Sequence, residues 1–140
     1  MKIIAGAAVV MFVLFFSFNL AADQKGDPCA NEQSNAGMRQ CYAREQTRVT
    51  AEADLAARKI VTDYRKEALD PSYSGPIAMQ LRKAASSVIA SQKTWKAYRD
   101  QHCNAVEYSW TTGSGAVTAH EECMFRLAQK RLHELRADFH

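Results

Sequence analysis

The chain has 140 residues, of which 47% are hydrophobic and 24% are charged, with six glycines and three prolines. This length favours a single domain, and the composition excludes the collagen-like and disordered classes. The formal net charge of +3 is too small to indicate a nucleic acid or an anionic membrane surface as a partner.

The first 22 residues have the pattern of a secretory leader. Met1 and Lys2 precede a stretch, Ile3 to Ala22, in which 17 of 20 residues are apolar. A short basic start, an apolar stretch and small residues at its end are typical of a signal peptide. We therefore predict cleavage near Ala22, a mature domain over residues 23–140, and a periplasmic or secreted location without a stable membrane anchor. The alternative is a retained anchor, because about 20 apolar residues can span a bilayer.

Three helices are predicted after the leader, over about residues 35–68, 77–107 and 118–138. Two loops rich in turn-forming residues separate them, and Pro76 suits the first turn of the second helix. Thr118 and Glu121 have the spacing of a capping box at the start of the third helix. The predicted fold class is therefore all-α, an antiparallel bundle of three helices.

Each predicted helix places a set of largely apolar side chains on one face. These sets are Met38, Tyr42, Val49, Ala53, Ala56, Ile60 and Tyr64 in the first helix, Leu81, Ala85, Val88, Gln92, Trp95, Arg99, Cys103 and Val106 in the second, and Cys123, Met124, Leu127, Ala128, Arg131, Leu135 and Phe139 in the third. Arg99 and Arg131 lie within these faces, and a buried cation needs a hydrogen-bonded partner. We expect Glu45 and Glu52 to be those partners; the alternative is that both arginines extend to water.

Four cysteines follow the leader, and an even number in an exported chain favours two disulfides. The sequence has no Cys-x-x-Cys pair typical of zinc sites and no haem-attachment motif. Antiparallel helices place all four cysteines at one end of the bundle. Three pairings are open, and our working choice joins Cys41 to Cys123 and Cys29 to Cys103.

The second helix also carries the most distinctive motif of the chain. It combines Gln92, Trp95, the triplet Tyr98-Arg99-Asp100, and Cys103. This motif resembles the central signature of the LprI-like lysozyme-inhibitor domain, a family of small secreted helical proteins. Met38 to Cys41 is similar to the family's opening, and Cys123 to Leu127 with Arg131 and Leu135 is similar to its closing pattern. The resemblance covers about residues 29–136. It departs from the family in the first helix, where Glu52 stands in place of the family's acid, Ala56 stands in place of its Asn, and the spacing from Cys41 is longer.

The resemblance implies a secreted protein that binds and blocks a lysozyme by protein contact, not an enzyme. A lysozyme cleft is concave and contains two catalytic carboxylates. The predicted second loop offers Tyr108 and Trp110 as aromatic anchors, beside a flexible tip that contains Gly113 and Gly115. We interpret these four residues as a candidate partner-binding loop. The alternative is that Trp110 packs on the end of the bundle.

Other classes of function find little support in the sequence. The four histidines, at positions 102, 120, 133 and 140, lack a spacing that joins them to a nucleophile or to a metal partner. We therefore expect no catalytic residue, no metal site and no cofactor. The remaining alternative is a non-catalytic interaction or structural protein of the cell envelope. Without the leader the net charge is +2, which does not steer the chain toward a basic lysozyme.

Overall fold

A computed structural model describes residues 26–111 and 113–139, which form three helices: α1 Asn35–Glu67, α2 Gly75–Ser109 and α3 Ala116–Asp138. These bounds agree with the predicted ones to within two residues and confirm the all-α antiparallel bundle. The predicted leader lies outside the described residues. In the part of the chain that is described, none of the helices has the length and apolar character needed to cross a membrane.

The three helices begin in different ways. The Ser34 hydroxyl oxygen accepts a hydrogen bond from the Gly37 amide at 3.0 Å and caps α1. Pro76 lies in the first turn of α2, as predicted. The capping box predicted for α3 is wrong, because this helix begins two residues earlier. Thr118 is buried inside it, and its hydroxyl donates to the Asn35 carbonyl at 3.2 Å, which joins the starts of α3 and α1.

The core runs along the bundle between α1 and α3, with α2 packed against both. Its buried apolar side chains are Tyr42, Val49, Ala53, Ala57 and Val61 from α1, Ala85 and Val88 from α2, and Phe125, Ala128, Leu132 and Leu135 from α3. The predicted face of α3 is therefore partly wrong: Phe125 and Leu132 are buried, whereas Met124 and Leu127 are only partly buried. The buried face is rotated around α3 from the predicted one, with Phe125 packed against Tyr42 of α1.

Two disulfides close one end of the bundle, Cys29–Cys41 and Cys103–Cys123. The expected pairing is therefore wrong, although the location at one end is confirmed. Asp27 explains the first bridge: its carboxylate accepts the Cys29 amide at 2.9 Å and the Tyr42 hydroxyl at 2.7 Å. These bonds hold the segment before α1 against that helix. Cys29 therefore lies beside Cys41, which is 12 residues away in the sequence.

The two ends of the bundle differ in whether a disulfide closes them. The cysteine pole is the end that contains both disulfides, the start of α1, the end of α2 and the start of α3. The open pole is the opposite end, where residues 68–74 connect α1 to α2. No disulfide lies at the open pole within the described residues, so its connection is held by noncovalent contacts.

Candidate functional site

A layer of polar side chains crosses the middle of the bundle and involves all three helices. Gln92 of α2 is its centre: the side-chain nitrogen donates to Asp54 of α1 at 3.0 Å, and the oxygen accepts from Arg131 of α3 at 2.9 Å. Lys96 donates to the second Asp54 oxygen at 2.7 Å, and Arg131 also donates to the Ser91 hydroxyl at 2.9 Å. Because side chains of all three helices take part, this layer fixes the relative positions of the helices.

The electrostatics of this layer favour its ionised form. Burial by itself raises the pKa of Asp54, but hydrogen bonds from Lys96 and Gln92 outweigh it and hold the pKa below its ordinary value. Nearer the start of α1, burial and the hydrogen bond to Asp27 raise the pKa of Tyr42 well above its ordinary value. The lowered pKa favours the ionised form of Asp54, and the raised pKa favours the protonated form of Tyr42. Each group has that form at neutral pH without the shift as well. Neither group is therefore poised for proton transfer near pH 7.

Arg99 forms a second polar contact, closer to the cysteine pole. It is 8% exposed, and it donates to the Thr50 hydroxyl at 3.0 Å and to Asp100 at 2.7 and 2.9 Å. Its guanidinium also lies 5.1 Å from the centre of the Trp95 ring. Tyr98 lies outside this unit, 53% exposed, and its ring stacks on that of His102. The structure thus brings together Trp95, Arg99 and Asp100 of the sequence motif and leaves its Tyr98 at the surface.

The partners that we expected for the buried arginines are wrong. Glu45 and Glu52 both pair with Arg48 on their own helix, and Glu52 also lies 3.4 Å from Arg136. Arg99 instead reaches Thr50, five residues further along α1 than Glu45. Neither disulfide joins α1 to α2, so the bridges do not set the alignment of these two helices.

The acid of α1 that contacts the sequence motif of α2 is Asp54, not Glu52. The segment contains two consecutive Ala-acid pairs, Ala51-Glu52 and Ala53-Asp54, and sequence reasoning selected the first. Asp54 is the one that accepts a hydrogen bond from Gln92.

The turn between α2 and α3 brings together the four residues of the candidate partner-binding loop. Tyr108 is 74% exposed and Trp110 is 50% exposed. The covered part of the Trp110 ring lies on the turn itself: a Cβ atom at Gly115 would lie 2.9 Å from ring atom Cζ3, and one at Gly113 would lie 3.2 Å from Cε3. Both glycines therefore allow the ring to lie close to the backbone while the rest of it faces solvent.

The residues on both sides of this turn have a net negative charge, and a disulfide joins the two helices that the turn connects. Residues 98–123 contain four acidic side chains, Asp100, Glu107, Glu121 and Glu122, and a single arginine, which gives a local net charge of −3. The Cys103–Cys123 disulfide joins the two helices just behind the turn. Among residues 26–111 and 113–139, no cluster of three or more His, Cys, Asp or Glu side chains could hold a metal ion. The described residues of the turn thus form an aromatic surface in acidic surroundings, between two helices that a disulfide joins.

Comparison with known proteins gives one match. The family model described as "Lysozyme inhibitor LprI" matches residues 27–135. No curated protein and no solved structure matches the chain. The matched segment contains all four cysteines, the polar layer and the turn between α2 and α3.

Proposed function

Since the chain belongs to the LprI lysozyme-inhibitor family, we propose that it binds a lysozyme and blocks it by direct protein contact. The family consists of extracytoplasmic inhibitors rather than catalysts. In this proposal the chain is exported to the periplasm or beyond after removal of residues 1–22. It acts without a cofactor, and residues 108–115 of the α2–α3 turn form the contact.

The observation that carries the proposal is the disulfide-closed turn with its exposed aromatic side chains. Tyr108 and Trp110 offer large apolar surfaces to a partner, and such residues dominate the binding energy of many interfaces. The Cys103–Cys123 bridge holds the helices on both sides of the turn. Because the bridge holds the helices that flank the turn, less conformational entropy is lost when the turn enters a concave cleft.

Local charge supports the same contact. Many lysozymes are strongly basic, and the net charge of +2 on the mature chain gave no reason to expect attraction. That value is a sum over the whole mature chain, whereas residues 98–123, on both sides of the turn, have a net charge of −3. Opposite charges at a docking surface accelerate encounter and orient the partners. The cysteine pole is therefore the end of the bundle that a basic lysozyme approaches.

The mechanism that follows is steric. A turn that enters the cleft occupies the volume in which the glycan binds and separates the two catalytic carboxylates from it. Inhibition of this type is competitive: the KM for peptidoglycan rises with inhibitor concentration while kcat is unchanged.

The test measures hydrolysis of peptidoglycan by lysozymes of several classes in the presence of the purified, disulfide-bonded protein. We expect inhibition of at least one class at micromolar inhibitor, and a Trp110→Ala variant that is about 30-fold weaker, as for a central interface residue. The matched control is Tyr73→Ala, which removes an aromatic side chain that is 40% exposed at the open pole. We expect the control to inhibit as the parent does.

Two results would contradict the proposal at different levels. Failure to slow any class of lysozyme would remove the proposed function. Inhibition that Trp110→Ala leaves intact while Tyr73→Ala weakens it would retain the function and move the contact to the open pole.

A further inference from the structure

Over most of its length, the second helix carries basic side chains and no acidic ones. No acidic residue lies between Asp70 and Asp100, a segment that contains Arg82, Lys83, Lys93 and Lys96 together with Arg99. The small net charge of the whole chain therefore conceals a long basic segment. This segment is most of α2, which begins at Gly75.

Two stripes of exposed and half-exposed residues bring these charges together with those of α1. Along α1 and just beyond its end the stripe is Leu55, Arg58, Thr62, Arg65 and Leu69, and on α2 it is Arg82, Ile89, Lys93 and Lys96. Residues at these spacings share one side of a helix. The two stripes face the same side of the bundle, because Arg65, Leu69 and Arg82 line one open groove of about 360 Å³ and Lys96 pairs with Asp54. We call this surface the α1–α2 face.

Most cations of the α1–α2 face have no salt-bridge partner among the described residues. Apart from Lys96, which pairs with Asp54, its cations Arg58, Arg65, Arg82 and Lys93 form no ion pair within the described residues. By contrast, three exposed arginines between α1 and α3, which are Arg48, Arg126 and Arg136, all pair with glutamates. These four cations can therefore bind an external anion without breaking a salt bridge.

Apolar side chains are interspersed among these cations. Leu69 is 80% exposed, Leu55 is 59% exposed and Ile89 is 48% exposed. A soluble polyanion leaves such side chains in water, whereas a lipid surface accepts them at the boundary between headgroups and acyl chains. We propose that the α1–α2 face binds the surface of a membrane that contains anionic lipids.

This proposal replaces the expectation, drawn from net charge alone, that an anionic membrane surface is not a partner. Four or more clustered Lys and Arg side chains beside apolar ones are sufficient for attraction to anionic lipids. The proposal is also compatible with lysozyme binding. Because α2 has 35 residues, it is about 50 Å long. A bundle that lies with its α1–α2 face on the membrane leaves the turn at the cysteine pole accessible.

The experiment is co-sedimentation of the full disulfide-bonded protein with two kinds of vesicle, pure phosphatidylcholine and phosphatidylcholine mixed with phosphatidylglycerol. We expect about tenfold or stronger binding to the anionic vesicles, with a loss of affinity as salt is added. The test variant replaces Arg58, Arg65 and Arg82 by Gln and is expected to bind about tenfold or more weakly. A version with Lys at these positions keeps the charges and is expected to bind as the parent does.

The matched control replaces Arg48, Arg126 and Arg136 by Gln, which removes the same charge from exposed arginines elsewhere. We expect this control to retain most of the binding, because its arginines already have internal partners. A Leu69→Ser variant tests the apolar component and is expected to reduce the binding that persists at high salt. Circular dichroism checks that each variant keeps its helices.

Three results would overturn the proposal. Equal loss of binding in the two triple variants would show attraction by net charge rather than by this face. Binding of poly-glutamate as tight as that of vesicles, without an effect of Leu69→Ser, would assign the face to a soluble polyanion. The absence of binding to anionic vesicles at low salt would exclude a membrane role. Lysozyme inhibition by the variants is a separate measurement and is expected to be unchanged.

Discussion

The two ends of the bundle are stabilised in different ways. At the cysteine pole, two disulfides and the Ser34 cap act together with the hydrogen bond between Thr118 and the Asn35 carbonyl. At the open pole, Ser74 makes no side-chain cap, and Leu69 is 80% exposed. The chain thus places its covalent and capping interactions at the end that carries the exposed aromatic turn. We infer that this end needs a fixed shape, whereas the open pole needs only to reverse the chain.

The polar layer lies between the two poles and gives each helix a specific partner. Apolar packing by itself allows helices to slide with little change in energy, whereas hydrogen bonds that cross from helix to helix do not. Asp54, Gln92 and Arg131 belong to α1, α2 and α3 respectively. The polar layer thus helps to keep the cysteine pole aligned with the rest of the bundle.

The largest effect is expected from removing the disulfides. Replacing Cys103 and Cys123 by Ser opens a loop of 20 residues, and replacing Cys29 and Cys41 by Ser opens one of 12 residues. In the chain-entropy model each change costs about 3 kcal/mol, slightly more for the longer loop. Denaturant unfolding under non-reducing conditions measures both losses. Free, alkylatable thiols in the native exported protein would contradict this description of the pole.

A somewhat smaller effect is expected at the polar layer. Gln92→Leu leaves Asp54 and Arg131 without their shared partner, which we expect to cost about 2 kcal/mol. The matched control is Arg136→Gln, which removes an exposed ion pair on α3 and is expected to cost less than about 1 kcal/mol. Equal stability of Gln92→Leu and the parent in denaturant unfolding would show that the layer does not hold the helices in register.

The dependence of stability on pH gives a third prediction. The pKa of Asp54 is lowered in the folded state, so its contribution is present above its unfolded pKa of about 3.9 and is lost as pH falls through the lower folded value. We expect the parent to exceed Asp54→Asn in stability by about 1.5 kcal/mol at pH 7. The difference should shrink toward zero at acidic pH. A difference that is constant from pH 7 to about pH 2 would contradict the ionised layer.

The smallest effect compares the two N-cap serines directly. Ser34→Ala removes a hydrogen bond to the Gly37 amide and is expected to cost about 1 kcal/mol. Ser74→Ala removes no cap bond, so we expect a change of only a few tenths of a kcal/mol. Thermal unfolding of the two variants gives the comparison, and equal losses would show that the poles do not differ in capping.

The sequence was sufficient for the fold, because the helices and loops depend on local patterns. Periodic apolar residues, Pro76 and the glycine-rich turn fixed the number, order and bounds of the helices. The disulfide partners depended instead on how the chain before α1 folds. The hydrogen bonds of Asp27 to Cys29 and Tyr42 determine that path, and no periodicity encodes them.

The contacts between helices were predicted less well for a similar reason. The burial of Arg99 was visible in its helix face, but its partner depended on the relative alignment of α1 and α2. An error of five residues in that alignment made Glu45 the expected partner of Arg99, whereas the structure has Thr50 there. Phe125 and Leu132 were missed because the direction in which α3 faces α1 depends on tertiary packing, which the periodicity of α3 does not encode. The candidate turn, in contrast, is contiguous in sequence, so its aromatic and glycine residues could be selected without tertiary information.

The most direct test of the central claim is hydrogen–deuterium exchange of the protein, alone and bound to a lysozyme that it inhibits. We predict that binding slows exchange in residues 105–119, which include the turn and the helix ends beside it. We also predict that residues 68–74 at the open pole exchange equally in both states. Slower exchange confined to the open pole or to the α1–α2 face would contradict the claim that the cysteine pole is the inhibitory surface.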